Sequence, residues 1–104
     1  MQRGEVWWAD LPAPVGRRPV LILTRDPVVN VRGQLVVAQI TRTVHNIAAE
    51  APLTARDGLP QDCVVNCDVL MTVPKNRLQR RITQLNSARM EEVANALRFA
   101  LEIA

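Results

Sequence analysis

A chain of 104 residues, 48% of them hydrophobic, is one domain's worth of sequence; a domain this small leaves much of its surface exposed, so a partner chain adds useful burial. No apolar run approaches the ~18–20 residues that span a membrane, and the opening Met1-Gln2-Arg3-Gly4-Glu5 is too polar and short for a signal peptide, so the expectation is a soluble, cytoplasmic protein. The net charge of +3 and pI of about 9.7 permit a nucleic-acid partner without demanding one.

Glu5 to Leu11, EVWWADL, alternates as a strand, with Val6 and Trp8 to one side and Trp7 and Ala9 to the other. A Pro/Gly loop, PAPVG, leads to a second strand from Arg18 to Thr24, apolar at its centre from Val20 to Leu23. RDPVVNVRGQ is a turn-rich connection. Gln34 to Thr43 forms a third strand, with Leu35, Val37 and Gln39 on one face and Val36, Ala38 and Ile40 on the other. Ala49 to Leu53 reads as a short edge strand, because Pro52 has no N–H to give a ladder; a loop follows at Asp57-Gly58. Cys63 to Val73 supplies one or two strands ended by Pro74, and KNRLQRRITQL a turn and then a strand to Leu85. From Ser87 the pattern changes. Met90, Val93, Ala94, Leu97, Ala100, Leu101 and Ala104 recur at helical spacing, Glu91, Glu92, Asn95 and Arg98 take the opposite side, and Asn86 is placed to cap the start. The fold expected over residues 1–104 is mainly β: a small barrel or strongly bent sheet of about five to seven short strands, with a C-terminal amphipathic helix packed on it.

The residues narrow the chemistry by what is missing. There is no glycine-rich phosphate loop, no H-E-x-x-H, no G-x-S-x-G and no dense acidic cluster for Mg²⁺. His45 is the only histidine, so acid–base work by a histidine pair is impossible within one subunit. Cys63 and Cys67 share a strand face, about 13 Å apart at the ordinary rise of a strand, whereas a disulfide needs less than ~7 Å. They read as buried thiols, and no metal or cofactor is expected.

What remains are arginines beside hydroxyls. Arg17 and Arg18 open the second strand; Thr41, Arg42 and Thr43 close the third. Thr41 and Thr43 share a face of that strand and Arg42 points away. If these strands are antiparallel neighbours, Arg18 comes near Thr41, and a guanidinium beside a hydroxyl suits a phosphate. The plainer alternative is a set of solvated strand ends. One of Trp7 and Trp8 must face the core; the other is free for a base, a partner chain or a loop.

Four segments in order, RGEVWWADL, GRRPVLILT, VVAQITRTV and DGLPQDCVVNCDVLMTVPKNRL with the following RRITQLNSARMEEVANALRFAL, resemble the MazF/PemK family of toxin endoribonucleases over nearly the whole chain, Gln2 to Ile103. The resemblance implies an SH3-like barrel of the CcdB/MazF kind, working as a homodimer and inhibited by an antitoxin with a disordered acidic segment. It implies metal-independent cleavage of single-stranded RNA at short sequences, through attack of the 2′-OH, to leave a 2′,3′-cyclic phosphate and a 5′-OH. The family's arginine before the R-P-V-L proline matches Arg18, and its threonine at the end of the third strand matches Thr41; these are the expected catalytic pair. Arg17, Arg42, Thr43, His45 and Trp8 are the expected RNA contacts, with Asn46 a further candidate. The chain departs from the family in its first loop, where only PAPVG separates Leu11 from Arg17, and a more open site follows from that shortening.

Two rivals stand beside this reading. CcdB-type toxins share the barrel but poison DNA gyrase; they carry a C-terminal tryptophan and isoleucine that RFALEIA does not arrange in that way. An inactive RNA- or antitoxin-binding barrel is the other.

Overall fold

Apolar side chains fall on both faces of the central strands, so the sheet they form is buried on both sides. In the computed structural model, which describes residues 1–104, the order is β1 (Glu5–Leu11), β2 (Gly16–Ile22), α1 (Asp26–Val29), β3 (Gln34–Thr41), β4 (Glu50–Leu53), β5 (Cys63–Pro74), β6 (Leu78–Gln84) and α2 (Ser87–Leu101), with 3₁₀ turns at Ala55–Asp57 and Lys75–Arg77. Val20, Ile22, Leu35 and Val37 enter one apolar cluster. Their neighbours Leu21, Leu23, Ala38 and Ile40 enter another. Each fully buried leucine or isoleucine contributes about 1.5–3 kcal/mol.

The six strands are antiparallel neighbours in the order β4-β5-β3-β2-β1-β6, curled into a half-barrel whose edges are β4 and β6. The expected barrel with a C-terminal helix is this architecture. β5 is one bent strand. Its register against β3 steps from Ala38↔Leu70 to Gln39↔Asn66, which leaves Cys67, Asp68 and Val69 out of that ladder and bends the strand. The Cys67 N–H bonds the Ala49 carbonyl on the β4 side at 2.9 Å. Cys63 and Cys67 are free and buried.

The helix α2 packs over β4 and β5 with Val93 and Ala96 buried. Its first turn is capped as expected, the Asn86 Oδ1 accepting from the Arg89 N–H at 2.8 Å. No helix is long and apolar enough to cross a membrane.

Three boundaries differ from the sequence-based expectation. β2 begins at Gly16, two residues before the expected Arg18, because the β1–β2 hairpin pairs through Asp10↔Arg17 and Leu11↔Gly16; Arg17 therefore lies within the strand along with Arg18, and the strand ends at Ile22 rather than Thr24. β3 stops at Thr41, two residues early. The turn-rich connection contains α1, a four-residue helix with proline in its first turn, where a missing N–H costs nothing.

Candidate active site

The pairing of β2 with β3 decides what meets what. Val20 pairs with Gln39 and Leu21 with Ala38, and the same register carried to the strand ends sets Arg18 opposite Thr41. Arg17, Arg18, Thr41, Arg42 and Thr43 line one hollow of about 250 Å³. A second cavity, of about 300 Å³, shares Arg17, Thr41 and Arg42, and is walled further by Trp8 and by Leu59, Pro60 and Gln61.

Arg42 overturns one expectation. It was expected to face away from Thr41, yet it lines both hollows with it. The strand has already ended: the Thr43 N–H donates to the Thr41 Oγ1 at 3.2 Å, and the chain bends at Arg42.

The adjacent tryptophans part as alternation requires. Trp7 packs against the apolar cluster and its indole N–H donates to the Glu5 Oε1 at 3.0 Å. Trp8 lines the larger cavity, with the Arg17 guanidinium carbon 4.8 Å from its ring centroid, a cation–π arrangement that fixes the arginine at the rim.

Charge at this rim is uncompensated. Four arginines elsewhere have carboxylates, Arg77 with Asp10 at 3.6 Å, Arg81 with Glu5 at 3.2 Å, Arg89 with Asp57 at 3.0 Å and Arg98 with Glu91 at 3.8 Å, while Arg3, Arg25, Arg32, Arg56 and Arg80 stand apart from the rim without one. Arg17, Arg18 and Arg42 have none within 4.0 Å. Three guanidiniums converging without a counter-ion raise the local potential and favour an external anion.

His45 is not part of this group. It lines neither hollow; its Nδ1 lies 3.1 Å from the Glu50 Oε2, and the backbone N–H groups of His45 and Asn46 donate to the Glu50 Oε1 at 2.9 and 3.0 Å. Burial pushes the Glu50 carboxyl up, but these bonds outweigh it and hold the group below the ordinary carboxylate range. His45 and Asn46 thus anchor the β3–β4 connection to a buried acid. Cys63, at the edge of the larger cavity, has its thiol pushed up by burial and then by Asp62 and Asp57, away from the reactive thiolate. No three His, Cys, Asp or Glu side chains converge to hold a metal ion.

The wall Leu59–Gln61 was not foreseen. It hangs from a locked turn. The Asp57 carboxylate accepts from the Thr54 N–H at 2.8 Å, and the Arg89 Nε lies 3.0 and 3.1 Å from its two oxygens. Gly58 follows at φ +93°, a value that favours glycine, and a Cβ there would lie 2.5 Å from the Thr83 Oγ1. The Asp57-Gly58 pair marked a turn; nothing local in the sequence marked Arg89 as its partner.

Fold and rim together define a small β domain with an arginine-rich rim beside an aromatic-sided hollow. The comparisons carry this to a family. Residues 2–101 match the sequence profile of the PemK-like, MazF-like toxins of type II toxin–antitoxin systems, and the chain belongs to that family. It is 48% identical over 99 residues to a protein named probable endoribonuclease MazF2 from Mycobacterium tuberculosis, covering 94% of this chain and 95% of the relative. Among solved structures, Mycobacterium tuberculosis toxin MazF-mt6 superposes with a TM-score of 0.89 at 37% identity, covering 96% of this chain and 98% of that one. A mycobacterial endoribonuclease in complex with its cognate antitoxin superposes with a TM-score of 0.90 at 26% identity, over 100% of this chain and 97% of that one.

Proposed function

We propose that the protein is the toxin of a type II toxin–antitoxin pair and a metal-independent endoribonuclease acting on single-stranded RNA in the cytoplasm. The observation that supports the reading is that Arg17, Arg18 and Arg42, none with a carboxylate within 4.0 Å, line one hollow with Thr41. The scissile phosphate sits at this rim. The substrate's own 2′-OH attacks phosphorus and the 5′-oxygen leaves, giving a 2′,3′-cyclic phosphate and a 5′-OH. Negative charge builds on the non-bridging oxygens, and Arg18 meets it with fixed donors, an arrangement whose removal costs about 10²–10³ in rate. Thr41 orients the 2′-OH or a phosphate oxygen. Arginine stays protonated, so the proton of the 2′-OH passes to water, and water returns one to the departing 5′-oxygen.

The same positive rim suits the acidic, partly disordered segment of an antitoxin, whose affinity then falls as salt rises. A homodimer fits the apolar side chains left exposed at Phe99, Leu101 and Ile103 on and after α2 and at Val69 on β5.

The test is cleavage of a long single-stranded RNA of mixed sequence by purified protein in EDTA. The expected result is cuts at a few short sites with 5′-OH ends. No cuts, together with inhibition of DNA supercoiling, would establish the gyrase-poison reading instead.

A further inference from the structure

The larger cavity has a wall that the phosphate chemistry does not use. Opposite Arg17 and Thr41 stand Leu59, Pro60 and Gln61, with Trp8 at the side. Leu59 is anchored in the core and Pro60 is conformationally stiff. Gln61 is exposed at the lip and makes no side-chain hydrogen bond to the rest of the chain, so its amide offers a free donor and a free acceptor. A small apolar hollow with an aromatic side, a neutral amide at its lip and an anion site at its edge matches one nucleobase whose phosphate lies at the rim. Unstacked bases of single-stranded RNA are taken in this way, by an aromatic or guanidinium plane and by hydrogen bonds to their edges.

We propose that this cavity accepts one base of the RNA beside the scissile phosphate, that Gln61 is the residue selecting it, and that Arg89 is a positioning residue for Gln61. The inference rests on the endoribonuclease reading above. Arg89 acts through Asp57: its Nε spans both carboxylate oxygens, its Nη1 reaches the Glu92 Oε2 at 2.9 Å, and Asp57 closes the turn from which residues 59–61 extend. Gly58 packs that turn against Thr83 on β6, so the wall has little freedom except through this pair. A base choice made by one hydrogen-bonding amide is worth roughly 5- to 150-fold in discrimination.

The experiment maps every 5′-OH end produced from a mixed-sequence RNA by wild type, Gln61→Ala and Arg89→Lys at a temperature where all three are folded. Gln61→Ala is expected to flatten the preference at one position of the cut sequence by at least 5-fold, leaving the other positions unchanged. Arg89→Lys keeps the charge but not the spanning geometry, and is expected to weaken the preference at that same position while cuts continue. Unchanged preference at every position in Gln61→Ala overturns the proposal and leaves the nuclease reading intact. Unchanged preference in Arg89→Lys alone removes the positioning role. A second readout needs no cleavage: in a Trp7→Phe background, the fluorescence of Trp8 is titrated with a single-stranded oligodeoxynucleotide. Quenching that weakens with Gln61→Ala supports the base cavity even if no RNA is cut; no quenching at saturating oligonucleotide overturns it.

Discussion

Arg89 and Arg18 are the same residue in opposite circumstances. Arg89, 24% exposed, meets an Asp57 side chain only 7% exposed, and a second carboxylate, Glu92, lies within reach. Arg18 and its neighbours Arg17 and Arg42 sit together with no carboxylate at all. Arg89 serves the fold and carries its counter-ions with it. A cluster that leaves three charges unmatched gives up stability through repulsion, and an external phosphate is what restores the balance. What sets the rim apart is convergence: a lone unpaired arginine marks nothing, but here three of them line adjoining hollows.

The largest expected effect on stability separates the two sites. Arg89→Ala leaves Asp57 in a buried setting without its cation and is expected to lower the unfolding free energy by about 3 kcal/mol, the low end for breaking a buried pair. Arg18→Ala is expected to stay within about 0.5 kcal/mol of wild type, because the half-buried Arg18 leaves no carboxylate unpaired when removed. Urea denaturation of both variants checks this; equal losses would dissolve the contrast.

Next comes salt. Arg17→Ala and Arg42→Ala should each weaken binding of an uncleavable single-stranded oligonucleotide and reduce the slope of log K against log salt by about 0.7, one phosphate's share for a single strand. Anisotropy titrations over a salt series give the slope. A slope unchanged in either variant would mean that arginine meets no phosphate, whatever its place at the rim.

The smallest effect is in acid. Burial raises the carboxyls of Glu5, Glu50 and Asp57, but hydrogen bonds outweigh it: Trp7, Gln2 and Arg81 lower Glu5, His45 and Asn46 lower Glu50, and Thr54 and Arg89 lower Asp57. Groups with folded values below their unfolded ones stabilise above ~4, the ordinary carboxylate value, and lose that contribution as pH falls through the folded values. Urea midpoints measured down through this range should decline, with a shallower decline in Asp57→Asn. The same slope in that variant would show that the Arg89 side of the comparison carries no charge-dependent stability.

Much of this was legible in the sequence, and the exceptions have a common cause. Glu5–Leu11, the start of α2, its Asn86 cap and the edge position of β4 follow from local alternation, capping and proline chemistry. The meeting of Arg18 and Thr41 needed only one assumption, that consecutive strands pair antiparallel. The placement of Arg42 failed because alternation says nothing about where a strand stops, and a side chain's face reverses its meaning past that point. The contact of His45 with Glu50 was not legible because Glu50 is a buried acid reached by a loop. The Leu59–Gln61 wall was missed because it is held by Arg89, 32 residues from Asp57, and no periodic signal links positions across that distance.

The central claim is that Arg18 acts on the phosphate and not on the fold. Its most direct test is the single-turnover cleavage rate of a short single-stranded RNA in EDTA, wild type against Arg18→Ala, each protein shown to be folded. The account predicts a loss of about 100-fold or more with urea stability and the cut position unchanged. An Arg18→Ala rate equal to wild type would place the chemistry elsewhere on the molecule and contradict it.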